Sequence, residues 1–285
     1  ARLVSSHGGS PYVAPTVGIE SSVALNSEVE RFCSVITDRQ VKYAIFMTGP
    51  GVYALLSAAR GLGKEKEILD ALSKVRVIAR SGKPKDALSK HGIRVDLVPP
   101  EATSDGILDL LRHHDVKNEV VVVLSHGSDS SYLGSGLREL GAEVIAFSTY
   151  TYSLETGSSG AQILDSMRFA AVLPHKADVV ELIEEIIDER IDAITFTSPP
   201  SANNLFSVAS ENGRLEPLRA ALNSRVIVVA VGPPTRASVE AGGVAVDVVP
   251  SVYKMGPMIK AMCEYVKSGA TKKGAGGRSI DLPEK

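Results

Sequence analysis

Tryptophan is absent from this chain of 285 residues, and aromatic side chains make up only 5% of it. Proteins that bind single-stranded nucleic acid stack bases on aromatic rings, so this composition disfavours that class. The formal net charge is −2 at pH 7, which does not favour a nucleic acid or an anionic membrane surface as partner. We therefore expect neither nucleic acid nor membrane among its partners.

Cysteine is almost as scarce, since the chain holds only Cys33 and Cys263, far apart in the sequence. Their spacing fits neither a disulfide framework, a redox pair nor a zinc site, so we expect two core residues in a reducing, cytoplasmic setting. No apolar run reaches the roughly 18–20 residues that span a bilayer. The opening "ARLVSSHGGS" lacks the charged and apolar regions of a signal peptide.

Several catalytic and cofactor motifs are also absent from the sequence. Neither a GxxxxGK[ST] phosphate loop, a GxGxxG turn after a strand, nor a GxSxG nucleophile elbow occurs. His113, His114 and Asp115 are consecutive at the end of a helical pattern, where they cannot converge on one metal ion. The sequence therefore predicts neither a metal nor a cofactor.

What the sequence does contain is one pattern written twice. An apolar run, a break rich in Thr, Ser, Gly and Pro, and a helix start of small residues occur in "YAIFMTGPGVYALL" and again in "DAITFTSPPSANNLF". Phe196 lies 150 positions after Phe46, and Gly232 lies 150 positions after Gly82. An offset that is kept across strands, breaks and helices indicates two copies of one architecture.

Each copy alternates short β-branched runs with helical patterns of about 10–15 residues. Among the runs read as strands are "RVDLVP" in the first copy and "VAVDVVP" in the second. This alternation is typical of a parallel sheet with helices on both faces. We therefore predict an α/β fold of two similar parallel-sheet domains joined by a two-stranded linker, with one domain discontinuous in sequence.

One predicted domain is discontinuous in sequence. The reason is that the first copy has a β–α pair for which the second copy has no C-terminal counterpart, so the second copy recruits the N-terminal segment. One domain takes residues 1–16 and 153–267, and the inserted domain takes residues 21–147. Linker strands at 17–20 and 148–152 form a hinge, with the ligand site in the cleft between the domains. The tail 268–285, rich in Gly and Lys, is expected to be poorly ordered.

The repeated breaks fall where strands lead into helices, which is the edge where open parallel sheets bind ligands. Their Ser, Thr and Pro residues can be helix caps and nothing more. Alternatively, the free N–H groups and dipoles of these helix starts form anion sites suited to a ligand with many carboxylates. The candidate substrate-binding residues at the breaks are Thr48, Gly49, Ser81, Lys83, Ser198, Ser201, Gly232 and Thr235.

In their order and spacing, "GAEVIAFSTY", "TFTSPPSANNLF" and "VAVGPPTRASVEAGG" resemble the uroporphyrinogen-III synthase family. That family has two α/β domains on a two-stranded linker, FTS-type strand ends, a G-x-x-T-A turn and a linker tyrosine. The resemblance covers residues 8–266, nearly the whole chain. It implies a cofactor-free, monomeric, cytoplasmic lyase that cyclises hydroxymethylbilane, a linear tetrapyrrole with eight carboxylates, while inverting ring D.

The resemblance also implies roles for individual residues. Tyr150 stands where the family has its linker tyrosine, so its phenol would assist the departure of the substrate hydroxyl. Two alternatives stay open: Tyr150 is a hinge aromatic packed between strands, or the neighbouring Tyr152 takes the role. Ser198, Gly232 and Thr235 match family positions that would bond to substrate carboxylates.

The chain also departs from the family pattern. The first copy has Met47-Thr48 for the Thr-Ser pair, and Lys85 where the turn often carries Thr. Lys83 and Lys85 either bind carboxylates by charge or are merely solvated. Family members also place a strand and an arginine ahead of the helix that ends here at "HGG".

Two other function classes therefore stay open beside the synthase. One is a non-catalytic tetrapyrrole- or anion-binding regulatory module on the same scaffold. The other is a two-domain binding protein of the periplasmic type, which the missing export signal disfavours.

Overall fold

A computed structural model describes residues 1–22, 24–125, 131–154, 160–161, 163–164 and 173–269. Of the tail expected to be poorly ordered, residues 270–285 lie outside the described residues. The first part of the chain contains α1 (Arg2–Ser5), β1 (Gly18–Ser21), α2 (Leu25–Asp38), β2 (Val41–Phe46), α3 (Gly49–Gly61), α4 (Glu65–Leu72), β3 (Arg76–Ala79), α5 (Gly82–Lys90), α6 (Ser104–Arg112), β4 (Val120–Ser125), α7 (Ser131–Glu139), β5 (Glu143–Ser148) and β6 (Tyr150–Ser153). The second part contains α8 (Lys176–Ile187), β7 (Ala193–Phe196), α9 (Pro199–Glu211), α10 (Leu215–Ser224), β8 (Ile227–Ala230), α11 (Pro233–Ala241) and α12 (Met255–Lys267).

The chain divides into two compact units. One is bounded by Ala1–Gly18 and Val172–Lys285, and the other by Ile19–Ala171; we call them the terminal unit and the inserted unit. In the terminal unit, the N-terminal segment is tied to α9. The Thr16 hydroxyl donates to the Ser201 carbonyl at 3.0 Å, and the Asn204 amide donates to the Thr16 carbonyl at 2.7 Å. These bonds join two stretches of chain that are far apart in sequence.

The inserted unit is built on a four-stranded parallel sheet in the order β3-β2-β4-β5. Alternate residues of β2 face opposite layers, as the pleat requires. Tyr43 and Ile45 pack with α6 and α7, whereas Ala44 and Phe46 pack with α2 to α5. Because helices cover both faces, the strands are apolar almost throughout rather than alternating.

The terminal unit carries the parallel pair β7–β8, and β1 pairs with β6 in a separate two-stranded sheet. The predicted α/β class with parallel sheets and intervening helices is confirmed. None of the described helices is both long enough and apolar enough to cross a membrane.

The segments "RVDLVP" and "VAVDVVP", predicted as strands, are not strands in the structure. Each makes a single parallel bridge, between Ile78 and Leu97 in one unit and between Val229 and Val248 in the other. Each segment also runs into proline, which has no N–H to donate to a ladder. The prediction of two full strands was therefore wrong.

In each unit, the side chain of an aspartate explains why the pairing stops at a single bridge. Asp96 accepts the Val77 N–H at 2.8 Å, and Asp247 accepts the Val228 N–H at 2.7 Å. A backbone N–H that is bonded to a side chain is not available to a neighbouring strand. Because both aspartates lie 19 residues after the N–H they bind, the sequence repeat extends to the hydrogen bonds.

Candidate functional site

In the inserted unit, the breaks after β2 and β3 lie side by side because these strands are neighbours in the sheet. Helix α3 begins after β2, and α5 begins after β3. A methyl group added to Gly49 would lie 3.5 Å from the Lys83 carbonyl oxygen, so the two helix starts are in contact. The structure thus brings Thr48, Gly49, Ser81 and Lys83 to one edge of the sheet.

The two polar caps at this edge use their side chains differently. Thr48 caps α3, since its hydroxyl accepts the Gly51 N–H at 3.2 Å, and the side chain is buried. Ser81 stands at the same position before α5 but makes no capping hydrogen bond with its side chain. Lys83, the second residue of α5, is exposed. This edge therefore presents the Ser81 hydroxyl and the Lys83 ammonium group beside the positive ends of α3 and α5.

Tyr150, the first residue of β6, reaches the same helix start. A methyl group on Gly51 would lie 3.6 Å from Cε1 of the Tyr150 ring. The Tyr150 side chain is buried, with 1% of its surface exposed, whereas Tyr152 is 37% exposed. The structure thus places Tyr150 beside Thr48 and makes Tyr152 the more accessible of the two phenols.

The Tyr150 phenol is held in its neutral form. Burial raises its pKa well above the ordinary value, and the nearby Tyr152 raises it further. A hydrogen bond with Thr48 and the positive charge of Arg80 lower the pKa, but by less than burial raises it. A neutral phenol in this place is a hydrogen-bond donor rather than a ready source of protons.

Two further polar residues at this edge were missed in the sequence analysis. Arg80 follows the last residue of β3, and its buried Nε has no hydrogen-bond partner among the residues that the structure describes. Ser125 ends β4 and is 2% exposed, and its hydroxyl also has no partner in the described part of the chain. The available signal was a polar residue placed directly at the carboxyl end of an apolar run.

In the terminal unit, the starts of α9 and α11 are likewise adjacent. The Ser238 hydroxyl of α11 lies 3.2 Å from the Pro199 carbonyl oxygen and 2.6 Å from the Asn203 side-chain oxygen. Both partners belong to the first turns of α9. This contact places the break after β7, with Ser198 and Ser201, next to the helix that carries Thr235.

At the starts of α9 and α11, some predicted ligand residues are already bonded within the protein or buried. The Ser201 hydroxyl donates to the Ser198 carbonyl at 2.6 Å and accepts the Ser198 N–H at 3.4 Å. Thr235, in the first turn of α11, is 2% exposed. Ser201 therefore has a capping role whatever else it does, and Thr235 is a buried residue.

Gly232, the N-cap of α11, lies against an aromatic residue that the sequence analysis did not single out. A methyl group on Gly232 would lie 3.2 Å from Cγ of Tyr253. The Tyr253 side chain is nevertheless 61% exposed, and its neighbours Val252 and Met255 are exposed too. An accessible aromatic ring thus borders the helix start in the terminal unit.

No group of three or more His, Cys, Asp or Glu residues converges as a metal site among the residues that the structure describes.

A family model for the uroporphyrinogen-III synthase HemD matches residues 1–260. The chain belongs to the uroporphyrinogen-III synthase family. A relative described as a putative uroporphyrinogen-III synthase of Methanothermobacter thermautotrophicus is 30% identical over 263 residues, which are 92% of this chain and 91% of that protein. An uncharacterised protein of Bacillus subtilis is 25% identical over 265 residues, which are 93% of this chain and 90% of that protein.

Among solved structures, a mutant uroporphyrinogen III synthase of Thermus thermophilus aligns with a TM-score of 0.61. The alignment covers 94% of this chain and 93% of that one at 23% sequence identity. This likeness confirms the two-domain fold of the uroporphyrinogen-III synthase family for this chain.

Proposed function

We propose that this protein is an active uroporphyrinogen-III synthase, which cyclises hydroxymethylbilane with inversion of ring D and needs no cofactor. We also propose that the protein is cytoplasmic and monomeric. One observation carries it beyond family membership. Tyr150, the counterpart of the family's linker tyrosine, is kept neutral at the start of α3, hydrogen-bonded to Thr48.

The proposed reaction depends more on the conformation in which the substrate is held than on strong acids or bases. Loss of the terminal hydroxyl from hydroxymethylbilane gives an electrophilic azafulvene. Attack by the substituted carbon of ring D gives a spiro intermediate, which reopens and recloses with that ring inverted. Without an enzyme the linear chain closes simply, to the uninverted isomer. The protein has to hold one substrate conformation and help water leave.

Tyr150 suits a hydrogen-bonding role in the departure of the hydroxyl. Because its pKa is raised, the phenol keeps its proton at neutral pH and is a weak acid. It would stabilise the leaving oxygen by donating a hydrogen bond rather than by transferring its proton completely. The edge-on contact with the more exposed Tyr152 gives the pair one buried and one accessible phenol.

The helix starts are the proposed carboxylate-binding elements. The starts of α3, α5 and α11 carry the backbone N–H groups of Gly49, Gly82, Lys83 and Thr235, which would bind substrate carboxylates near positive dipole ends. Helix α9 begins with Pro199 and Pro200, which have no N–H, and its Ser201 N–H is bonded to Ser198, so this start would contribute its dipole and the Ser198 hydroxyl. Thr48, Ser81, Lys83, Ser198 and Thr235 would add side-chain donors. Gly49 and Gly232 would allow the substrate a close approach to the backbone, and Ser201 would fix the first turn of α9.

A non-catalytic tetrapyrrole-binding module is the second candidate. The observation that favours it is the 1% exposure of Tyr150, which in this conformation shields the phenol from a ligand. Such a module would bind polycarboxylate porphyrins through the same helix starts without forming product.

The two candidates are separated by supplying freshly made hydroxymethylbilane to the purified protein, oxidising the products and separating the isomers. We expect mainly the inverted, type III isomer, formed faster than in buffer. Only the uninverted isomer, at the buffer rate, would contradict the synthase. Tight binding of uroporphyrin together with that outcome would favour the binding module.

A further inference from the structure

Arg80 lies at the carboxyl edge of the inserted unit's sheet, where its surroundings are set by β2 and β3. Its backbone N–H donates to the Phe46 carbonyl at 3.1 Å, which continues the pairing one residue beyond the end of β3. The next residue along β3 is the N-cap Ser81, and the break after Phe46 leads to Thr48. The Arg80 side chain therefore leaves the backbone between the starts of α3 and α5.

Among the described residues, no carboxylate pairs with the guanidinium of Arg80. Its side chain is half-buried and its Nε is fully buried, yet Nε makes no hydrogen bond within the described part of the chain. Other arginines of the inserted unit do pair with a carboxylate, namely Arg31, Arg39, Arg60, Arg94 and Arg112. A buried charged donor without a partner is costly, so its retention needs an explanation other than stability.

The positive charge of Arg80 reaches Tyr150. It lowers the pKa of that phenol, against the larger raising effect of burial. Arg80 and Tyr150 therefore both lie near the start of α3. A negative ligand in this region would meet the guanidinium, the start of α5 and the exposed ammonium group of Lys83.

We infer that Arg80 is a binding residue for a carboxylate of the ligand, which accepts hydrogen bonds from the two terminal nitrogens of the half-buried guanidinium. This end-on, two-bond arrangement is one that carboxylates make with arginine. The inference rests on the proposed function, since it takes a polycarboxylate tetrapyrrole as ligand. It adds a charged contact to a site otherwise built mainly from backbone N–H groups.

The test compares Arg80→Gln with Arg76→Gln. Arg76 is the first residue of the same strand, exposed and at the opposite end, so both variants remove one positive charge from β3. Two readouts are used: the KM for hydroxymethylbilane, and the Kd for uroporphyrin from titration of its fluorescence. Thermal unfolding is measured for each variant.

We expect Arg80→Gln to raise KM and Kd about tenfold or more, the usual effect of losing a charged hydrogen bond, and Arg76→Gln to change them less than about twofold. Arg80→Lys should fall in between, because it keeps the charge but not the two-bond geometry. The melting temperature of Arg80→Gln should equal or exceed that of the wild type, since a positive charge without a partner among the described residues is removed from a half-buried position.

Unchanged KM and Kd in Arg80→Gln, beside a wild type that makes the type III isomer, would overturn the role of Arg80 and leave the synthase in place. A markedly lower melting temperature would also overturn it, because Arg80 would then be supporting the fold. If the wild type makes only the uninverted isomer but its uroporphyrin binding depends on Arg80, the synthase proposal fails and the carboxylate contact stands. A wild type that binds no uroporphyrin and makes no type III isomer would refute both.

Discussion

The ring of Tyr150 meets the ring of Tyr152 edge-on, with centroids 5.7 Å apart and planes at 88°. The two residues are next-but-one neighbours on β6, so their side chains leave the same face of the strand. Burial separates them, since Tyr150 is 1% exposed and Tyr152 is 37% exposed. The pair therefore offers a direct comparison between a positioned phenol and an accessible one.

Replacing Tyr150 by Phe should lower kcat for the type III isomer by about tenfold to a hundredfold, because the donor to the leaving hydroxyl is lost. Tyr152→Phe should cost severalfold less, since it removes only a neighbour of that donor. The measurement is the rate of type III formation at saturating hydroxymethylbilane. A larger loss in Tyr152→Phe than in Tyr150→Phe would transfer the catalytic role to the accessible phenol.

The raised pKa of Tyr150 predicts a pH dependence of stability. The folded-state pKa lies above the unfolded value of 10.0, so the native protein keeps a proton that the unfolded chain gives up. The contribution is fully present below pH 10 and is lost as the pH rises from there toward the folded-state pKa. The free energy of unfolding should therefore fall with pH above about 10, and less steeply in Tyr150→Phe.

Urea unfolding of both proteins in steps from pH 8.5 to 11 measures this difference. Tyr152→Phe is the matched control, because it removes an exposed phenol from the same strand. Equal slopes in wild type and Tyr150→Phe would mean that the phenol is not shielded from solvent as the structure has it.

Two buried hydroxyls at the same sheet edge should respond in opposite ways to removal. The Ser125 hydroxyl has no hydrogen-bond partner within the described ranges, whereas that of Thr149 donates to the Gly51 carbonyl at 3.2 Å. Both residues are at most 2% exposed. Ser125→Ala should raise the free energy of unfolding by about 1 kcal/mol, and Thr149→Val should lower it by about 1 kcal/mol.

Both residues belong to the inserted unit, so one unfolding transition followed by circular dichroism reports on both variants. A loss of stability in Ser125→Ala as large as in Thr149→Val would show that Ser125 has a partner in solution.

The sequence was sufficient for the class of fold because periodicity and break residues are local signals. Strand β2 is apolar apart from Lys42, and Thr48, Gly49 and Pro50 follow Met47 after it, so its end and the start of α3 could be located. Parallel pairing then puts successive strand ends at one edge, which is why four predicted ligand residues of the inserted unit gather there. The strand prediction for "RVDLVP" failed because the Asp96 carboxylate takes a backbone N–H, and periodicity carries no information on that bond.

The missed residues share a different cause. Arg80 looks like any polar residue after a strand, and only the packed structure shows that no described residue bonds to its buried Nε. Tyr253 lies in a polar stretch far along the chain from Gly232, and only folding brings its ring to that glycine. Contacts of this kind depend on tertiary neighbours, which the pattern of one chain does not encode.

The contact between Gly232 and Tyr253 gives the last prediction. Gly232 has an extended backbone, with φ −177°, so alanine is conformationally allowed there. The new methyl group would lie 3.2 Å from Cγ of Tyr253, and this exposed ring can move away. Gly232→Ala should therefore change the free energy of unfolding by less than about 1 kcal/mol. It should raise the KM for hydroxymethylbilane severalfold, because both the displaced ring and the methyl group crowd the start of α11.

Gly256→Ala is the matched control, since no atom of the described part of the chain lies within 4 Å of a methyl group at that position, three residues after Tyr253. Its KM should match the wild type. In the Tyr253→Ala background, Gly232→Ala should raise KM less than it does alone, because the two residues then no longer interact. An undiminished effect there would mean that the methyl group itself obstructs the substrate, and that α11 binds its carboxylate without help from the ring.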